Sequence, residues 1–384
     1  MKRRVAIVVK RWLLDALRVF AVLGVIGVLV VVTGVVPITA SRGHWAVTAW
    51  FLKFAMRRSI ATHSMGIEVP ANLDDPVLVL RGAGHYESGC LPCHGAPADP
   101  DPLIPQRMLP QPPGLIEPVA ALGPKGLFYA TKHGLKFTGM PAWPAIERDD
   151  EVWAVVAFLL RLPGLDARSY ARLARGAPAP VEAEGDAEPL GDLASPPSAP
   201  RAVTESCSRC HGVSGGGRGI GAFPRIDGQP VEYLFEAMHA YADQTRPSGI
   251  MGPIAAGLAP VTWRELAEHY AGRDDRQARR SIATVRAVDA ASLARGAAIA
   301  SMGVPAQGVP SCEDCHGPTA WPRNPAYPEL AGQYVEYLEL QLQLWKRGAR
   351  GGSPYAHLME AFAFKLTDDQ IRDVAGYYAS LPRP

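Results

Sequence analysis

The sequence predicts an all-α protein, with three helical domains in line behind an N-terminal apolar helix. Three observations carry this. Apolar residues recur at i, i+3, i+4, i+7 through Trp153, Val156, Ala157 and Leu160, through Trp263, Leu266, Ala267 and Tyr270, and through Ile371, Val374, Ala375 and Tyr378. Each set is one face of an amphipathic helix closing a segment of the chain. Residues 72–384 contain no period-two alternation of useful strand length. The pentamer CxxCH occurs three times, as CLPCH at 90–94, CSRCH at 207–211 and CEDCH at 312–316, roughly one domain length apart.

At the N-terminus Lys2, Arg3, Arg4, Lys10 and Arg11 precede an apolar run from Val19 to Val36, ended by Pro37. With its approach from Trp12 the run makes a helix of about 20 residues, enough to cross a bilayer core. Residues 1–40 are therefore expected to be a short stub and an uncleaved transmembrane anchor. A cleaved signal peptide is the competing reading, because Ile38-Thr39-Ala40 resembles a cleavage site, although signal apolar regions are usually only about 7–15 residues. Residues 41–71 are expected to form a membrane-proximal helix and connector. Val47, Trp50, Phe51 and Phe54 share one face there, which suits either a helix lying among lipid headgroups or one packed on the first domain.

The remaining boundaries follow from composition and repetition. A first domain spans 72–165, an Ala/Pro-rich linker 166–200, a second domain 201–283 and a third 284–384. FPRIDGQPVEYL (223–234) matches YPELAGQYVEYL (327–338) at an offset of 104 residues, so the last two domains are close relatives. The first has GLFYATKHGLKFTGMPAWP (126–144) instead. Thr262 with Glu265 and Thr367 with Gln370 read as capping boxes, and Ser214–Gly217 as a flexible loop. The formal charge of +2 gives no electrostatic case for a nucleic-acid partner.

All six cysteines fall inside the pentamers, so none remains for a disulfide. Cysteines at i and i+3 with histidine at i+4 share one side of a helical turn. Two such thiols can form thioethers with the two vinyl groups of a haem while the histidine places an imidazole under the iron. Zinc needs four protein ligands, usually as two pairs close together, and a thioredoxin-type pair needs a βαβ context. The motifs therefore predict three covalently bound haem c groups (iron), on Cys90 and Cys93, Cys207 and Cys210, and Cys312 and Cys315, with His94, His211 and His316 as axial ligands. Met140, Met251 and Met359 are candidates for the opposite axial position, 50, 44 and 47 residues after the first cysteine of each motif. His133, His239 and His357 lie nearby and could ligate instead. Met56, Met65, Met108, Met238 and Met302 read as core filler. The second ring nitrogen of an axial histidine commonly donates to a backbone carbonyl, for which Pro224, Pro328 and the run PQPPG (110–114) are candidates.

With these motifs, methionines and closing helices the chain resembles the class I c-type cytochromes over 72–165 and 201–384. Domains two and three, with Met251 and Met359 each seven residues before a leucine, resemble two-domain di-haem cytochromes. Domain one, with KHGLKFTGMPAW, resembles single-haem modules fused to membrane oxidases and dehydrogenases. The haem count is similar to that of the cytochrome subunits of membrane-bound alcohol and gluconate dehydrogenases, which usually lack such a span. The resemblance implies a single-pass protein of the bacterial inner membrane, N-terminus cytoplasmic and haem domains periplasmic. It implies electron transfer in a respiratory chain, to a terminal oxidase or from a membrane dehydrogenase, without catalytic residues of its own. The alternative is a haem enzyme, a peroxidase or small-molecule reductase, with one open-site haem.

Overall fold

The computed structural model describes residues 2–97, 102–176, 206–273, 288–319 and 321–383. Among these the fold is helical, with no strand and only isolated bridging such as Val304 to Val309. The first helix, α1 (Lys2–Thr33), contains a 25-residue candidate membrane span, Val9–Thr33, whose most apolar window is not packed inside the protein. At 1.5 Å per residue that stretch is about 37 Å long, more than the ~30 Å hydrocarbon core of a bilayer.

The next helix, α2 (Ala46–His63), divides the two readings of its segment between its ends. Its C-terminal half packs on the first domain: Ile60 is buried and His63 stacks on Tyr129 at 5.7 Å. Its N-terminal half leaves Trp45, Val47, Trp50, Phe51 and Phe54 exposed.

Domain one is built from α3 (Pro76–Gly89), the one-turn α4 (Leu91–His94), α5 (Ile116–His133), α6 (Asp149–Arg161) and α7 (Ala167–Arg175). Asp75 caps α3, its carboxylate accepting from Val77 N at 2.8 Å. A break at Gly123 and Pro124 divides α5. The crossing of α3 and α6 is close because Gly82 has no side chain; a Cβ there would lie 1.8 Å from the Ala154 carbonyl oxygen. Around the crossing Val79, Ala83, Tyr86, Val152, Val156 and Phe158 form the core, each large side chain contributing about 1.5–3 kcal/mol by burial. Helix α7 corrects the expected start of the linker at 166. The Tyr170 hydroxyl donates to Glu87 at 2.7 Å and Arg175 pairs with the same carboxylate, so domain one continues to about residue 175. Composition gives little sign of this helix because ARSYARLAR has only one large aliphatic residue; one tyrosine and one alanine do the burying. The rest of the expected linker, 177–200, and the boundary near 283 lie outside the described residues.

Domain two comprises the one-turn α8 (Ser208–His211), α9 (Val231–Ala242), α10 (Met251–Ala256) and α11 (Pro260–Ala271). Leu234, Leu266, Ala267 and Tyr270 form its core. The expected capping box at Thr262 is not formed: α11 begins two residues earlier, at Pro260, whose fixed φ starts a helix without a side-chain cap. Domain three repeats the plan with α12 (Ala290–Met302), α13 (Glu313–His316), α14 (Val335–Lys346), α15 (Ala356–Ala363) and α16 (Asp368–Ser380). Here the box at Thr367 and Gln370 is present. Gly296 plays the part of Gly82, a Cβ there meeting the Asp373 carbonyl oxygen at 2.1 Å.

The last two domains join through equivalent residues of the repeat. The Gln229 amide exchanges hydrogen bonds with the backbone of Glu329, at 2.8 and 2.9 Å. The Gln333 amide does the same with the backbone of Arg225, at 2.9 and 3.0 Å. Each glutamine thus serves the other domain's proline-bearing segment, as a two-fold relation between the copies requires. Domain one is held against domain two as well: Arg81 donates to the Ala222 carbonyl at 3.1 Å, and Arg218 to the carbonyls of Leu173 and Arg172 at 2.5 Å.

Candidate haem-attachment sites

Each CxxCH motif occupies a single helical turn, with the first cysteine at its N-cap and a glycine at its C-cap. Those glycines, Gly95, Gly212 and Gly317, have φ of 69°, 77° and 71° with extended ψ, a region open almost only to glycine. They end the helix directly after the histidine and turn the chain away. Two of the turns are pinned by a tyrosine from a long helix: Tyr86 donates to the Gly95 carbonyl at 2.7 Å and Tyr378 to the Gly317 carbonyl at 3.0 Å. In the sequence the only signal for these glycines is that a helix of one turn needs a stop.

The three histidines share one second contact. Nδ1 of His94 lies 2.9 Å from the Pro113 carbonyl oxygen, that of His211 3.1 Å from Pro224, and that of His316 3.1 Å from Pro328. A carbonyl only accepts, so Nδ1 carries the proton and Nε2 keeps its lone pair for a metal. Burial lowers the pKa of all three imidazoles, which favours the neutral, ligating form. In domain one the geometry selects Pro113 from the proline run.

No two of the cysteines are joined in a disulfide. Burial pushes Cys90 up to about 12 and Cys210 and Cys312 up to about 11, as it does for thiols held away from water. Among the described residues no group of three or more His, Cys, Asp or Glu side chains is placed to hold a metal ion. Thioether attachment, which uses two thiols and one imidazole per haem, fits this donor set.

Between domains two and three, Arg246 and Arg350 stand at equivalent repeat positions beside Tyr233 and Tyr337, also equivalent. Arg246 donates to the Tyr337 hydroxyl at 3.1 Å. Burial raises the Tyr233 phenol, but the two guanidiniums beside it outweigh burial and bring it down to about 8. The Arg350 Nε is buried without a hydrogen-bond partner, whereas Arg225 pairs with the buried Asp227 at 3.1 Å. Unneutralised guanidiniums at a buried seam suit an anionic ligand, and a haem carries two propionates.

The methionine candidates sit in ordered segments, one in a turn and two in short helices. Met140 lies in a hairpin-like turn closed by Leu135 N to the Met140 carbonyl at 3.1 Å and by Met140 N to Thr138 Oγ1 at 3.1 Å. Met251 opens α10 and Met359 lies within α15. All three are half-buried, whereas His133, His239 and His357 are exposed. Met108, read as filler, packs on Gly139 beside Met140. The Ser214–Gly217 loop is not loose: Gly217 N donates to the His211 carbonyl at 2.8 Å, Ile226 N to the Gly215 carbonyl at 2.8 Å, and Tyr334 of domain three to the Gly216 carbonyl at 2.8 Å. The sequence also gave no prominence to His85, buried on α3 beside Trp143 and held neutral by burial, with a pKa of about 3.

Over part of its length the chain is similar to known proteins. The family model described as cytochrome C oxidase, cbb3-type, subunit III, matches residues 78–159. The thiosulfate dehydrogenase electron acceptor of Thiomonas intermedia (strain K12) is 33% identical over 196 residues, 51% of this chain and 85% of that protein. The chain belongs to the class I c-type cytochromes. Cytochrome c4 of Pseudomonas aeruginosa is 28% identical over 193 residues, 50% of this cytochrome and 92% of that one. A solved cytochrome c4 structure from Acidithiobacillus ferrooxidans is 30% identical, covering 46% of this chain and 98% of that one, with a TM-score of 0.39. Covalent haem c and electron transfer are thus properties of this cytochrome through its family.

Proposed function

We propose that this cytochrome carries three haem c groups and passes electrons between redox proteins on the outer face of a bacterial cytoplasmic membrane, anchored there by α1 with its N-terminus inside. The observation that carries the reading is the threefold recurrence of one local arrangement. A one-turn CxxCH helix is stopped by a glycine, and its histidine Nδ1 is tied to a proline carbonyl at 2.9, 3.1 and 3.1 Å.

Bound haem supplies the one-electron ferric/ferrous couple. The chain's residues do the rest. Cys90 and Cys93, Cys207 and Cys210, and Cys312 and Cys315 would bond the porphyrin, and His94, His211 and His316 would offer Nε2 to the iron. Met140, Met251 and Met359 would be the further iron ligands, and a Met/His pair raises the potential relative to two imidazoles. The seam of Arg246, Arg350, Tyr233 and Tyr337 would receive propionates. The polar contacts among the three domains hold the sites at fixed separations, as a carrier needs.

The relatives' names inform the choice of partners. Domain one resembles an oxidase subunit, and about half of the chain resembles the acceptor protein of a thiosulfate dehydrogenase. Together they favour a relay from a dehydrogenase towards a terminal oxidase. The haem count is tested by intact mass after acid–acetone extraction, which removes non-covalent haem. The expected mass is that of the polypeptide plus three haems; two or fewer would refute the tri-haem reading.

A further inference from the structure

Domains one and two meet at a buried polar junction that lies between two methionine loops. Glu151, on α6, is 4% exposed. Its Oε2 accepts from the Trp143 indole N–H at 3.0 Å and from Gly249 N at 2.7 Å. Its Oε1 accepts from the Ser248 hydroxyl at 2.6 Å and pairs with Arg148 at 3.1 Å. Trp143 follows Met140 by three residues, and Ser248 precedes Met251 by three.

Both loops are tied to these contacts by their own backbones. Trp143 N donates to the Lys132 carbonyl at 2.9 Å, closing the Met140 loop onto α5. The Ser248 hydroxyl oxygen accepts from Met251 N at 3.0 Å and from Ile250 N at 3.3 Å. The indole lies against Gly249, where a Cβ would come within 2.3 Å of Nε1. Arg148 reaches across to the Pro247 carbonyl at 2.7 Å. One carboxylate therefore receives hydrogen bonds from the loop of each domain, and charged acceptors make the stronger hydrogen bonds.

We propose that Glu151 is a positioning residue shared by two haem sites, holding the Met140 and Met251 loops in one hydrogen-bonded unit so that ligand geometry in each domain depends on the other. The proposal rests on the reading of Met140 and Met251 as ligands. It is separable from general packing, because Arg81 and Arg218 hold the two domains together elsewhere. Met359 takes no part in the junction.

The test uses the full-length holoprotein in detergent. In the ferrous state each methionine-ligated haem shifts its ligand methyl proton resonance far upfield. Met140→Ala, Met251→Ala and Met359→Ala should each abolish one resonance, which assigns all three and checks ligation separately. Glu151→Gln should then shift the Met140 and Met251 resonances and leave that of Met359 in place. Trp143→Phe should shift the Met251 resonance across the interface, and Ser248→Ala that of Met140, with Ser248→Thr restoring the wild-type position. If Glu151→Gln does not fold, the latter variants carry the test. Shifts confined to the domain that bears each substitution would overturn the proposal. Methyl resonances that survive Met140→Ala or Met251→Ala would show that the ligand reading itself had failed, and the proposal with it.

Discussion

Gly212 illustrates how much a single atom decides at these sites. Its φ of 77° and ψ of 158° belong to a region that a Cβ closes, and the residue is adjacent to the proposed iron ligand His211. Gly212→Ala is expected to cost about 1–3 kcal/mol and to lower haem loading of domain two. Gly257→Ala is the control, since Gly257 has a φ of −78° and only ordinary contacts. Haem-to-polypeptide ratios of the two variants check this, the first falling below the wild type and the second matching it. Asp373 gives a pH-dependent counterpart. Hydrogen bonds from Arg295, and then from Ser292, hold its carboxyl below the usual range against the opposing effect of burial. A depressed folded-state pKa stabilises above the unfolded value of about 3.9, and that contribution is lost as pH falls through the lower folded value. Acid unfolding of Asp373→Asn should accordingly show less loss of domain three stability below about pH 4 than the wild type. An identical acid profile would mean that the carboxylate contributes nothing. Residues with a local pattern were legible from sequence: the cysteines, the histidines and the carbonyls of Pro224 and Pro328. Glu151 was not, because its partner Ser248 is 97 positions away and only the docking of two domains brings them together.

Among the elements, the closing helices α6, α11 and α16 were legible because their apolar faces repeat at helical spacing. Two of the helices they cross were not described beforehand, since α3 contacts α6 and α12 contacts α16 partly through glycine, which leaves no apolar mark. Those crossings are specific. Gly82→Ala sets a methyl against the Ala154 carbonyl, and Gly296→Ala against that of Asp373. Each is expected to destabilise its own domain by about 1–3 kcal/mol or more, as overpacking does. Denaturant melts followed at the haem bands should show the loss in one domain for each variant, and unchanged midpoints would contradict so close a crossing. Helix α7 was missed because a short, charged helix is held by the single buried carboxylate of Glu87, a long-range pairing that composition cannot encode. The capping box at Thr262 failed for a more local reason, since Pro260 had already started the helix.

For the whole molecule, the repeat anticipated that domains two and three are alike, and the paired Gln229 and Gln333 amides show how likeness becomes an interface. Sequence gave no sign that domain one would pack on domain two, since the intervening composition reads as a spacer whether or not the ends meet. The packed arrangement, the half-buried methionines and the exposed histidines all favour irons closed on both faces and a protein that carries electrons. The most direct test is carbon monoxide binding to the fully reduced holoprotein, followed at the Soret band. Six-coordinate Met/His irons predict little binding in the wild type, with Met251→Ala opening one site that binds one equivalent. Stoichiometric binding at one haem of the wild type would contradict the account and assign that haem an open, substrate-accessible iron.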